Sequence, residues 1–310
     1  MSTLRELLQD YLALRRALGF KLRTEGTGLR SFVAFMEQSQ AEYISTDLAL
    51  AWAKQPTSVQ PARWAQRLSY VRGFARYCSA IDARTEIPPM GLLPFPHHRP
   101  SPYFFTDEDI DRLLQGALRL PAKDGLANRT LYCLLGLLSV SGLRIGEALG
   151  LTLEDVDLEA GLLTIRSAKF GKSRLVPLHA TTVEVLADYR ERREQFLAGR
   201  QVPYWFVNAH GRRLGYDCVI GAFHRLTTSA GLRSQPGRSR PRLHDLRHRF
   251  ALLTVLHWYR DGHEVERRLP VLSAFLGHVQ VSNTYWYLSA CPQLLGAAKE
   301  RLEHHWEQTS

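Results

Sequence analysis

Ser141-Gly-Leu-Arg-Ile-Gly-Glu147, running on into Ala148-Leu-Gly-Leu151, is the stretch whose local chemistry organises everything around it. Upstream, Leu131–Val140 is apolar enough to be a buried helix. Gly142 breaks that helix, and Arg144 falls in the first turn of the next one. A helix N-terminus with a guanidinium beside it attracts an anion, although an arginine at a surface helix start is also common. Downstream, Leu162–Arg166 and Arg174–Leu178 are short β-prone runs, and Ser167–Ser173 between them contains Gly171. That pattern predicts a β-hairpin.

Helical patterns dominate on either side of this centre. Thr106-Asp-Glu-Asp109 reads as a capping box with Thr106 as N-cap. Thr181–Ala198 is helical, Trp205–Val207 predicts a short strand, and helices dominate from Tyr216 onward. In the N-terminal part, Leu4, Leu7, Leu8, Tyr11, Leu12 and Leu18 form an apolar stripe at helical spacing that Gly19 ends. Further helical patterns fall at about 25–38 and 59–79. Six prolines between Pro88 and Pro102 then stiffen the chain and forbid helix. The expected architecture is mainly α with a small antiparallel β-sheet in the second of two domains. Their bounds are a helical unit 1–87, a Pro-rich linker 88–104 and a larger domain 105–310.

A chain of 310 residues suits two domains, and 45% hydrophobic with 23% charged residues is ordinary for a globular protein. The formal net charge is +10, shared evenly between residues 1–100 and 101–310. Two basic halves suggest a polyanion that touches both. The charge concentrates between Arg233 and Arg249, where Arg238, Arg240, Arg242 and Arg247 also lie and only Asp245 opposes them. Arginine suits bidentate phosphate contact. Arg72 and Arg76, on the last helix of the first domain, are further candidates for contact with such a polyanion, and equally candidates for plain surface charge. Cys78, Cys133, Cys218 and Cys291 are far apart, which fits a reducing cytoplasm and no disulfide framework. No run of 18 apolar residues predicts a membrane span, and the charged N-terminus argues against a secretory signal. The twelve histidines form no HExxH or Cys/His ligand spacing, so no metal and no cofactor is expected.

Three more segments carry side chains of chemical interest. Lys169 and Lys172 sit in the hairpin turn, where a lysine among other cations could donate a proton to a leaving oxygen. His244 and Arg247 of His244-Asp-Leu-Arg-His248 are three apart and share one face of a helix start. Leu276-Gly-His278 leads to Tyr285-Trp-Tyr287. The two phenols are two residues apart, so on a helix only one faces a given site. Taken singly, each segment also reads as solvated polar surface.

The order of these segments resembles the tyrosine recombinases of the phage-integrase type. The resemblance covers about 105–290: Arg144 and Glu147 in S-G-L-R-x-x-E, a hairpin lysine, HxxR, Leu-Gly-His, and a tyrosine nine residues beyond that histidine. It implies Arg144, Lys169, His244, Arg247, His278 and Tyr287 as catalytic residues, with Glu147 and Lys172 supporting and Tyr287 the nucleophile. It implies cleavage and rejoining of DNA strands through a 3′-phosphotyrosyl intermediate, without ATP. The helical N-terminal unit is similar in pattern and position to the family's SAM-like core-binding domain, and the two domains would close round DNA as a clamp. Implied partners are double-stranded DNA with inverted-repeat recombination sites, further copies of the chain (a dimer on each site, a tetramer in synapsis) and accessory proteins, in a cytoplasmic, nucleoid-associated setting. A tail helix at 292–306 would dock on a neighbouring protomer or, alternatively, pack on its own domain. Two other readings stay open on sequence: a type IB topoisomerase, and a DNA-binding regulator without activity.

Overall fold

The computed structural model describes residues 3–94, 102–121, 126–166, 173–232 and 240–277. The chain divides into two compact units, Met1–Arg99 and Pro100–Ser310. It is mostly helical, with one small antiparallel sheet. No helix among the described residues is long and apolar enough to cross a membrane.

The first unit packs four helices: α1 (Leu4–Ala17), α2 (Arg23–Gln38), α3 (Thr46–Lys54) and α4 (Pro61–Cys78). Thr3 and Glu6 close a capping box on α1, and its stripe of Leu4, Leu7, Leu8, Tyr11 and Leu12 is buried. Gly19, with φ +87°, takes the left-handed turn after this helix. Helix α3 has no counterpart in the sequence reading. It is only nine residues long, about two and a half turns, too short for a clear apolar stripe, and Ser45 caps it by accepting from the Leu48 N–H. Trp52 of α3 is fully buried, edge-on to Phe32, with the Arg67 guanidinium 3.8 Å from its ring. Arg72 on α4 donates to the Pro88 and Pro89 carbonyls at 2.7 and 2.9 Å, holding the start of the proline-rich stretch. Leu93 in that stretch packs into this unit's core.

The second unit begins with α5 (Asp107–Leu118), where Thr106 and Asp109 form the expected capping box. Helix α6 (Leu126–Ser141) is buried along most of its length, and Tyr103 and Phe105 join the same core. After the four-residue helix α7 (Ile145–Ala148) and a single 3-10 turn at Leu153–Asp155 come β1 (Val156–Asp157), β2 (Leu162–Ile165) and β3 (Arg174–Pro177). The strands lie in the order β1-β2-β3, all antiparallel, with Leu162 opposite Pro177 and Ile165 opposite Arg174. The expected hairpin is therefore formed, and its turn, residues 167–172, lies outside the described residues. Helices α8 (Ala180–Leu197), α9 (Tyr216–Ser229), α10 (Leu243–Arg260) and α11 (Val265–Leu276) complete the unit.

The strand expected at Trp205–Val207 is not formed. Two isolated bridges stand there instead, Thr152 with Tyr204 and Val207 with Arg213. The reason is a competing partner. Arg193, 2% exposed, donates to the carbonyls of Val202, Tyr204 and Trp205, so the Trp205 carbonyl is held by a side chain rather than by a strand ladder.

Candidate active site

The break at Gly142 sets the site. Its φ of +61° turns the chain from α6 into α7, so that Arg144 becomes the N-cap of α7 rather than a residue of its first turn. Helix α7 has four residues, and its start is closed by protein. The Arg144 N–H donates to Glu147 Oε2 at 2.9 Å, and the Arg144 guanidinium donates to Glu147 Oε1 at 2.8 Å. The other arm of that guanidinium donates to the Gly277 carbonyl at 2.9 Å.

Arg247 reaches the same place from α10. It is 1% exposed, and it donates to the carbonyls of Gly142 at 2.6 Å and Leu276 at 2.5 Å. The plain-surface reading of His244 and Arg247 thus fails for Arg247. His244, one helical turn earlier, is exposed, with its ring edge-on to buried His248 at 4.6 Å. The start of α10 is fixed by fully buried Asp245, which accepts from the Arg242 N–H and guanidinium. Burial pushes the Asp245 carboxyl up, against the lowering effect of Arg242.

A third guanidinium, which the sequence reading did not single out, completes the arrangement. Arg174 opens β3, donates to the Phe275 carbonyl at 2.7 Å and forks onto both oxygens of Glu147 at 2.8 and 3.2 Å. Arg174, Arg247 and Arg144 therefore take the carbonyls of three consecutive residues, 275, 276 and 277, where α11 ends. Helix C-termini leave carbonyls unsatisfied and carry negative potential, so three cations there are well placed. The sequence held no clear signal for Arg174: Leu175 and Val176 are both apolar, and only the structure shows that Val176, on the same strand face as Arg174, is the buried one while Leu175 is exposed.

Glu147 sits between Arg144 and Arg174 with a side chain only 10% exposed. Burial alone would raise its carboxyl. Hydrogen bonds from Arg174, from the Arg144 backbone and from the Arg144 side chain outweigh burial and hold its pKa at about 2. The stability it contributes is thus complete above the ordinary glutamate range near 4.5 and is lost as pH falls towards about 2. Acid unfolding of wild type should steepen in that window by up to about 1.4 kcal/mol per pH unit. In Glu147→Gln that added slope should disappear, and urea titrations at successive pH values would measure it.

A model of the phage integrase family matches residues 103–293. The chain belongs to the phage integrase family. Among its relatives there, the integrase/recombinase y4rB of Sinorhizobium fredii is 51% identical over 99% of both chains. Tyrosine recombinase XerD of Pseudomonas aeruginosa is 32% identical over 72% of this chain and 69% of its own. In fold, this phage integrase family member is similar to XerH bound to its palindromic difH substrate, with TM-score 0.66 and 21% identity over 98% of this chain and 85% of that one. The Tn1549 transposon integrase bound to transposon right-end DNA gives TM-score 0.66 at 16% identity, over 96% and 98%. A lambda integrase dimer on a core site gives 0.61 at 19%, over 92% and 77%.

Of the residues singled out by sequence, the fold brings Arg144, Glu147 and Arg247 to one point, with His244 exposed on the first turn of α10. Lys169, Lys172, His278, Tyr285, Tyr287 and the tail helix 292–306 lie outside the described residues. Gly277, on which Arg144 closes, directly precedes His278 in the chain. Arg72 and Arg242 spend hydrogen bonds on carbonyls and on Asp245, whereas Arg76 and Arg240 are exposed.

Proposed function

We propose that this protein is a site-specific DNA recombinase that cleaves and rejoins strands through Tyr287. The observation that carries the reading is the meeting of Arg144 and Arg247, from motifs far apart in the chain, on the two backbone carbonyls just before His278. Two guanidiniums fixed side by side form a preorganised clamp for the non-bridging oxygens of a phosphodiester.

The chemistry runs in two balanced steps. The Tyr287 oxygen forms a bond to phosphorus as the bond from phosphorus to the 5′-oxygen breaks. Lys169 gives that oxygen its proton, leaving a 3′-phosphotyrosine and a free 5′-hydroxyl. The 5′-hydroxyl of a partner strand then attacks the phosphotyrosine and releases Tyr287. His244 assists deprotonation of Tyr287, whose ordinary pKa near 10 requires help at neutral pH, and His278 hydrogen-bonds the phosphate. Arg76, Arg240 and the basic stretch around them add phosphate contacts that weaken with salt. Lambda integrase has been solved as a DNA-bound dimer and as a tetramer on a Holliday junction. Double-stranded DNA and further copies of this chain are the corresponding partners here, and the helical unit 1–87 serves as the second half of a DNA clamp.

The test is an SDS-resistant protein–DNA adduct on a nicked duplex taken from the DNA flanking its gene, with EDTA present throughout. Wild type should give the adduct, Tyr285→Phe should retain it and Tyr287→Phe should lose it. Loss with Tyr285→Phe alone would move the nucleophile. No adduct from wild type, despite salt-sensitive binding to that duplex, would support the non-enzymatic reading instead. Relaxation of any supercoiled plasmid regardless of sequence would point to a topoisomerase.

A further inference from the structure

We propose that Arg174 is a positioning residue for strand cleavage: it holds Glu147 and the end of α11 so that Arg144 is presented to the phosphate in one orientation. This rests on the reading of Arg144 as half of the phosphate clamp. The geometry is unusually closed. Arg174 has a side chain only 12% exposed, and all three of its nitrogens are committed, one to the Phe275 carbonyl and two to Glu147. Glu147 in turn holds Arg144 by both its backbone N–H and its guanidinium. Arg144 and Arg174 then take the carbonyls of Gly277 and Phe275, on either side of the one taken by Arg247.

A carboxylate shared by two guanidiniums is a hinge with two pins. Without Arg174, Glu147 keeps one cation and can rotate with it, and Arg144 loses its fixed direction. Preorganisation is what makes such donors effective on developing charge, and small misplacements are expensive. Arg174 also lies two residues after Lys172 in the chain, at the point where the hairpin returns to the sheet. Its bond to Phe275 therefore ties the strand that follows Lys169 and Lys172 to the helix that precedes His278 and Tyr287. The close fit at Gly277 supports the same picture. A Cβ there would stand 3.0 Å from Arg174 Nη1 and 3.4 Å from Arg144 Nη1, so the chain passes tightly between the two guanidiniums.

The experiment measures single-turnover adduct formation on the nicked duplex described above, well below each variant's melting temperature. Arg174→Ala should cleave about 10- to 100-fold more slowly, with Kd for the duplex within about twofold of wild type. Arg174→Lys, which keeps a donor and the charge, should recover part of the rate. The acid limb of the pH–rate profile should move upward in Arg174→Ala, because Glu147 loses its largest lowering partner. In a Glu147→Gln background, Arg174→Ala should cost less than about threefold, since the two act as one unit. Equal losses in both backgrounds, or a wild-type rate in Arg174→Ala, would overturn the proposal while the recombinase reading stands. If Arg174→Ala does not fold, the Arg174→Lys and Glu147→Gln double-mutant cycle decides in the same way. A wild-type chain that forms no adduct overturns the reading of the clamp, and this proposal with it.

Discussion

Arg247→Ala should leave a protein about 2–4 kcal/mol less stable and slower in strand cleavage by about 100- to 1,000-fold. The stability loss comes from what the arginine holds. Its guanidinium is 1% exposed and closes onto the Gly142 and Leu276 carbonyls, which join the α6–α7 break to the end of α11. Removing it strands two buried acceptors and opens a space the size of an arginine, partly offset because a buried charge no longer has to be desolvated. The loss of cleavage has a second cause. A clamp on a phosphodiester needs both guanidiniums, and removing one such donor from the site of developing charge typically costs about 100- to 1,000-fold. Arg247→Lys separates the two effects. An ammonium retains the charge but not the planar fork that spans two carbonyls, so stability should recover in part while cleavage stays at least about 100-fold down. Urea unfolding midpoints and adduct rates on the same samples check this. Full cleavage by a destabilised Arg247→Ala would make Arg247 a purely structural residue.

The fold class was readable because its signals are local. The leucine stripe of α1, the Thr106 cap of α5, the break at Gly142 and the alternating hairpin strands each depend on residues close in sequence. What escaped depends on residues distant in sequence. No local pattern reveals that Arg193 captures three carbonyls, and so Trp205–Val207 read as a strand. Helix α3 is short and leans on burial of Trp52 rather than on periodicity. In the site, the arginines at 144 and 247 were legible from their motifs, but their burial was not. A guanidinium three residues from an exposed histidine gives no sign that it closes onto Gly142 and Leu276. Arg174 lay one step further away, since its importance follows only from the carboxylate it shares.

Gly142→Ala should destabilise the protein by about 2–4 kcal/mol and slow cleavage by about 100-fold, although it adds a single methyl group. Two costs combine. The φ of +61° lies where an L side chain pays about 1 kcal/mol or more. The added Cβ would also stand 2.5 Å from Phe250 and 2.9 Å from Leu276. Neither neighbour yields easily. Phe250 stacks on Phe275 with centroids 5.6 Å apart, and Leu276 is fully buried. Any adjustment passes directly into the site, because the Gly142 carbonyl holds Arg247, the Leu276 carbonyl holds its other arm, and Arg144 follows two residues on. Gly146→Ala is the matched control on α7. A Cβ there meets nothing within 4 Å, and alanine favours helix over glycine, so that variant should be neutral or slightly more stable. Comparing the two by thermal unfolding and adduct rate tests whether the break after α6 is a rigid hinge for both arginines. If Gly142→Ala melts and cleaves like Gly146→Ala, the backbone at 142 is free to move, and the orientation of the clamp must be set from α11 alone.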